Sequence, residues 1–304
     1  MTAKAGQLKV ALPVENVPRP CLPPDPNTRR PDYRANAGAC DCHAHVFGPP
    51  DLFPYVEQRS FTPPDALVET YLRMLDTIGI ERAVLVQGSV HGTDNRAVAR
   101  AVSSAPGRLR GVAVIGPDTP EAEIRALHAQ GFRGTRLSTV VKGTPGFEHL
   151  ETIVGKVRAL GWHVVVHVNR ADELTALAPR LIATGCPLVI DHIARVRREE
   201  GVASGGFQTL LRLLGGGNCW VKISGQHRMS AQGYPWADMR PLVRGVVDAR
   251  PDRVLWGSDW PHPNQYDEMQ NDGDLLDAFA QWVPEEDLRR QILVANPAAL
   301  YGFG

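Results

Sequence analysis

The stretch Cys40-Asp41-Cys42-His43-Ala44-His45-Val46-Phe47 decides the fold. It reads as a short extended run, and in a strand alternate side chains share a face, so His43 and His45 point the same way. Paired imidazoles on one face can hold a metal or polarise an oxygen. Working outward, the same kind of short apolar run recurs at 82–89, 111–116, 131–138, 163–168, 187–193, 219–225 and 253–259. Between these runs lie helical patterns such as 64–78, 121–130, 148–160, 171–184, 207–214 and 239–248, several opened by Thr or Pro and closed by Gly. Eight strands alternating with helices predict an α/β protein, a (β/α)8 TIM barrel over residues 39–304. An open doubly wound sheet is the weaker alternative, because no G-x-G-x-x-G follows the first strand.

Residues 1–38 are rich in proline, including Pro18, Pro20, Pro23, Pro24 and Pro26, and lack periodicity. They are expected to form an extended N-terminal arm that wraps the fold or is partly disordered, with contact between subunits of a homo-oligomer as a further role. Of the 304 residues, 33 are Lys or Arg and 33 are Asp or Glu, so no overall field draws the chain to nucleic acid or to an acidic membrane. No apolar run approaches the roughly 18 residues of a membrane span, and residues 1–20 carry no secretory pattern. Five cysteines without zinc-finger or redox-pair spacing fit a reducing, cytoplasmic setting.

In a (β/α)8 barrel the chemistry lies at the C-terminal strand ends. Here those ends are polar: His43 and His45 on the first strand, Gln87 and Ser89 on the second, Arg136 on the fourth and His167 on the fifth. The sixth carries Asp191 and His192, the seventh Lys222 and the eighth Asp259. Burying ionisable groups without partners costs several kcal/mol, so their convergence points to function. Adjacent Asp191 and His192 must face opposite sides of a strand, and His192 is expected inside. A guanidinium presents a planar fork to carboxylate, which makes Arg136 a candidate for a substrate carboxylate; an internal ion pair with Asp41 is the alternative. Lys222 and Arg228 offer further positive charge, and His91 and His262 lie in loops just past their strands.

These residues resemble the amidohydrolase superfamily, in the branch of lactonases acting on pyrone dicarboxylates, sulfomuconolactones and sugar lactones. The resemblance spans residues 39–303 and rests on the Asp41-to-Pro49 run, Gln87-Gly88-Ser89, Gly134-Thr135-Arg136, Asp191-His192, Trp220-to-Gly225 and Trp256-Gly257-Ser258-Asp259-Trp260-Pro261-His262-Pro263. It implies that His43, His45, His192 and Asp259 are catalytic, with Ser89, Arg136 and Arg228 toward substrate; Lys222 and His262 join the substrate-binding candidates from their positions at and just past strand ends. Gly88 and His91 depart from the residues relatives often carry. Binuclear members use a bridging Lys on strand four, where this chain has Arg136, so a two-metal centre is not expected. One divalent ion such as Zn2+, held by His43, His45, His167 and Asp259, remains open beside a metal-independent site.

The implied reaction is hydrolysis of a carboxylate-bearing lactone by Asp259-activated water. Lactone isomerisation, metal-dependent decarboxylation and a non-catalytic binding role are the alternatives.

Overall fold

The computed structural model describes residues 18–304. Eight parallel strands follow one another around a single sheet: β1 (Cys40–Ala44), β2 (Arg82–Val86), β3 (Leu109–Ala113), β4 (Phe132–Ser138), β5 (His163–His167), β6 (Leu188–Ile190), β7 (Cys219–Ile223) and β8 (Val254–Trp256). Helices α1 (Val68–Ile78), α2 (Arg96–Ser104), α3 (Glu121–Ala129), α4 (Leu150–Val157), α5 (Ala171–Ala183), α6 (Gly205–Gly215), α7 (Arg240–Ala249) and α8 (Asp272–Trp282) follow the strands in turn. The chain is a (β/α)8 barrel, as its alternating pattern predicts. Most strands are shorter than the apolar runs suggested: β6 stops at Ile190 and β8 at Trp256, before Asp191 and Asp259, whereas Arg136, His167 and Lys222 still lie within the ladder.

The apolar residues form two layers. Val84, Val86, Val112, Val165, Val189 and Leu255 fill the barrel with Cys40 and Cys42, and Tyr301 and Phe303 at the chain's end join them. A larger layer packs the outer strand faces against the helices, with Tyr71, Leu75, Phe132, Trp162 and Phe279 fully buried. Among the described residues no helix is long and apolar enough to cross a membrane.

Strict alternation from Cys40 would place His43 on the face of Asp41. A register shift in the β1–β2 pairing between Asp41 and Ala44 breaks that alternation. Such a bulge redirects the side chains that follow it. Asp41 therefore faces outward and accepts from the Tyr71 hydroxyl of α1 at 2.8 Å, while His43 and His45 turn toward the barrel axis. The expected alternative of an Arg136–Asp41 ion pair is excluded by this orientation.

Barrel closure falls on β1 and β8. Asp259 N–H donates to His43 C=O at 2.8 Å, and His45 N–H to Trp260 C=O at 2.7 Å. Beneath them the fully buried Asp41 carboxylate accepts from the N–H groups of His43 and Ser258, at 3.0 and 2.9 Å, and from the Ser258 hydroxyl at 2.5 Å. Gly257 permits the approach: a Cβ there would lie 2.6 Å from His43 Cβ and 2.8 Å from His43 N.

Residues 18–38 contain no helix and run beside this seam; the part of the expected arm before residue 18 lies outside the described residues. Arg29 pairs with Asp274 at 2.8 Å and with Asp277, whose carboxylate also accepts from the N–H groups of Asp32 and Tyr33.

Removing the Asp41 carboxylate leaves four buried donors without an acceptor. Asp41→Ala is expected to lower unfolding free energy by about 3 to 5 kcal/mol in urea titration. A loss below about 1 kcal/mol, the range of an ordinary surface substitution, would show that the seam does not depend on this carboxylate.

Candidate active site

The strand ends open into one pocket with an empty volume of about 630 Å³. Its polar wall carries Ser89, Arg136, His167, His192, Arg228 and Asp259, and Phe47 and Phe61 supply an apolar side. His45 also lines the pocket, whereas His43 lies just below it and is fully buried.

Asp259 is the hub. Its Oδ1 lies 3.6 Å from His43 Nε2 and 3.8 Å from His45 Nε2, and its Oδ2 accepts from Arg228 Nε at 2.9 Å. Burial alone would raise its pKa, yet the Arg228 charge and the surrounding imidazoles hold it well below the usual carboxylate range. Arg228 is a cause that persists at neutral pH, whereas burial keeps His45 and His192 uncharged there. The His45 pKa is pushed well down by burial, reinforced by His43 and Arg136, and that of His192 is pushed down to about 3 by burial.

Hydrogen bonds orient both rings. His45 Nδ1 donates to Val86 C=O at 2.7 Å, and His192 Nδ1 faces the carbonyl and hydroxyl of Ser224 at 3.1 and 2.8 Å. His45, whose Nδ1 must carry the proton to meet a carbonyl, therefore turns an unprotonated Nε2 away from that contact. His43 Nδ1 is met by Lys222 Nζ at 3.1 Å and by Asp191 Oδ1 at 3.3 Å.

Three expected placements are corrected. Lys222 does not line the pocket; it is fully buried below His43, 3.1 Å from Asp191 Oδ1, and serves as that carboxylate's counter-charge. Burial would raise the Asp191 pKa, but Lys222 and His43 bring it well below the usual range. His262 is likewise turned away from the pocket wall, with Nε2 3.1 Å from Asp272 Oδ1. Asp191 and His192 do not face opposite sides: β6 ends at Ile190, and His192, Ile193, Ala194 and Arg195 all take positive φ near 50°. That left-handed run brings Asp191 beneath His43 and His192 beside it, with ring centroids 4.7 Å apart.

The same run delivers a residue that periodicity does not reveal. Arg195 lines the pocket, and its buried Nε has no hydrogen-bond partner among the described residues. Its only sequence signal is its position three residues after His192, in the loop that follows a strand. Arg136 is almost fully buried, is paired with no carboxylate among the described residues, and has its pKa lowered by burial against the pull of Asp191 and Asp259.

Ligand atoms of His43, His45 and Asp259 lie within 4.8 Å of one another, and the buried His43 Nε2 has no hydrogen-bond partner among the described residues. Two nitrogens and one carboxylate oxygen suit a single divalent ion such as zinc, so these residues fit one. The fourth expected ligand, His167, is not among these grouped atoms. Its Nδ1 contacts Ser138 Oγ at 3.1 Å, and its ring packs 5.5 Å from His192.

Imidazoles gathered around one carboxylate at the C-terminal end of a (β/α)8 barrel define the class as a barrel enzyme with a histidine–aspartate centre. The chain belongs to the amidohydrolase family, which it matches over residues 40–303. It is 39% identical over 287 residues to the 2-pyrone-4,6-dicarboxylate hydrolase of Comamonas testosteroni, covering 90% of this chain and 93% of that protein. It is 38% identical over 288 residues to the 4-sulfomuconolactone hydrolase of Rhizobium radiobacter, covering 93% and 96%. A crystal structure of a probable 2-pyrone-4,6-dicarboxylic acid hydrolase from Acinetobacter baumannii, with citric acid bound, superposes with a TM-score of 0.77 at 31% identity, covering 88% of this chain and all of that one.

The Arg228–Asp259 contact fixes a sign for pH dependence. A depressed carboxylate pKa stabilises the fold above the usual carboxylate range, and that contribution is lost as pH falls through the depressed value. Arg228→Gln removes the lowering charge and leaves burial, so the acid limb of kcat/KM is expected to move to higher pH. An acid limb at the parental position in the variant's pH–rate profile would contradict the assignment.

Proposed function

We propose that this protein is a lactonase that opens a carboxylate-bearing lactone by attack of water, and that its pocket is built for a substrate with two anionic groups. One observation carries this reading: three guanidinium groups, from Arg136, Arg195 and Arg228, line a pocket whose only carboxylate among the described residues is Asp259, while burial keeps its imidazoles neutral. Such a wall favours an anion, and planar forks favour carboxylate or sulfonate. The substrate named for the Comamonas relative, 2-pyrone-4,6-dicarboxylate, has this character.

Asp259 is the general base. Held ionised by Arg228, it accepts a proton from water as the water oxygen bonds to the lactone carbonyl carbon. The electron pair displaced onto the carbonyl oxygen forms an oxyanion, stabilised by the positive field of the guanidinium groups. On collapse the ring C–O bond breaks, and Asp259 returns its proton to the departing ring oxygen. The product is an open chain with one more carboxylate. Arg136 and Arg195 hold the existing acidic groups, and Ser89 borders the same pocket, which turns an encounter into a positioned reaction. A divalent ion held by His43, His45 and Asp259 would supply Lewis-acid polarisation of the carbonyl when bound. We place the protein in a reducing, cytoplasmic setting, a reading supported by five buried cysteines that form no disulfide.

Asp259→Asn is expected to lower kcat on 2-pyrone-4,6-dicarboxylate by about 100- to 10,000-fold while calorimetric binding of the lactone persists. Near-parental turnover by this variant would remove Asp259 as the base. Arg136→Met is expected to reduce kcat/KM on the dicarboxylate by about 100-fold, with a much smaller loss on a neutral lactone. Equal losses on both substrates would sink the assignment of Arg136 to the carboxylate.

A further inference from the structure

We propose that residues 18–22 are a strap that positions two walls of the substrate pocket by tying the loop after β1 to the loop after β8. This inference rests on the pocket's role in substrate binding proposed above.

On one side, Pro20 bridges to Thr62, Cys21 N–H donates to Thr62 C=O at 2.9 Å, and Thr62 Oγ1 donates to Pro18 C=O at 3.0 Å. On the other, Leu22 N–H donates to Gln265 C=O at 2.8 Å, Asn264 N–H reaches Cys21 Sγ at 3.3 Å, and Arg19 donates to Tyr266 C=O at 3.2 Å. The anchors and their neighbours reach the pocket: Phe61, beside Thr62, lines it, as do Asn264 and the preceding Pro263. The segment thus bonds to both loops within successive residues, and Cys21 is buried between them.

Connections between barrel strands and helices are the mobile part of this architecture, and function sits on them. A loop held at both ends of its contact loses less freedom when substrate binds, so the strap lowers the ordering cost of binding. Its prolines support the role, since they keep the segment extended in the free chain as well. Asp259 is anchored separately, through its own backbone bond to His43 and through Arg228. Loosening the strap therefore weakens substrate binding and leaves the reacting groups in place.

The test uses the full chain and removes backbone donors one at a time. Cys21→Pro deletes the donor to Thr62, and Leu22→Pro deletes the donor to Gln265; Cys21→Ser and Leu22→Ala keep both N–H groups, and the serine hydroxyl keeps an acceptor beside Asn264 N–H. With 2-pyrone-4,6-dicarboxylate as substrate, each proline variant is expected to raise KM about tenfold with kcat within about twofold, and each control to stay within about twofold in both. Hydrogen–deuterium exchange should quicken in residues 60–66 and 262–266 of the proline variants, with the melting temperature held. Unchanged exchange in both loops, or kcat, KM and melting temperature all collapsing together, would overturn the strap. The exchange measurement stands even if the parent turns over no lactone, so failure of the lactonase reading and failure of the strap are separable.

Discussion

Everything at the site depends on how the first and last strands meet. The eighth strand must lie against the first closely enough for backbone bonds between His43 and Asp259 and between His45 and Trp260. Gly257 removes the Cβ that would block this approach, and Asp41 gathers four donors from β1, α1 and Ser258 at the same place. Residues more than 200 positions apart in sequence are thereby fixed as neighbours. The Asp259 carboxylate meets two imidazoles because the seam closes there. The strap formed by residues 18–22 crosses the same seam at the level of the loops, so closure and pocket shape share one line on the barrel surface.

A second constraint is electrostatic. Two carboxylates lie fully or almost fully buried against the His43 ring, and each has its own cation: Lys222 for Asp191 below the ring, Arg228 for Asp259 above it. An uncompensated buried charge would cost several kcal/mol or be neutralised by a proton. Pairing keeps both carboxylates ionised, the state that the proposed role of Asp259 as a base requires. Burial meanwhile keeps His45 and His192 neutral, which leaves the unpaired charge of the pocket on Arg136 and Arg195 and matches it to an anion.

The barrel was legible because each strand is a compact apolar run between helical patterns, and strand-end polarity marked His43, His45, His192, Arg136, Arg228 and Asp259. What periodicity could not convey was depth and local backbone hand. Lys222 and His262 sit on or near strand ends as substrate-facing residues would, yet one lies below the pocket and the other turns to Asp272. The bulge in β1 and the left-handed run from His192 to Arg195 carry no proline or glycine signature of their own. They nonetheless decide that Asp41 points out, that Asp191 and His192 share the site, and that Arg195 enters the pocket. Side-chain alternation assumes a regular strand, and these functional positions lie where regularity stops.

The central claim is that water held at Asp259 attacks a lactone carbonyl, and it is tested most directly by following solvent oxygen. In single-turnover reactions with 2-pyrone-4,6-dicarboxylate in ¹⁸O-labelled water, the account predicts one ¹⁸O atom in the newly formed carboxylate of every product molecule. Product formed without solvent oxygen would contradict it and replace hydrolysis with an acyl shift inside the same pocket.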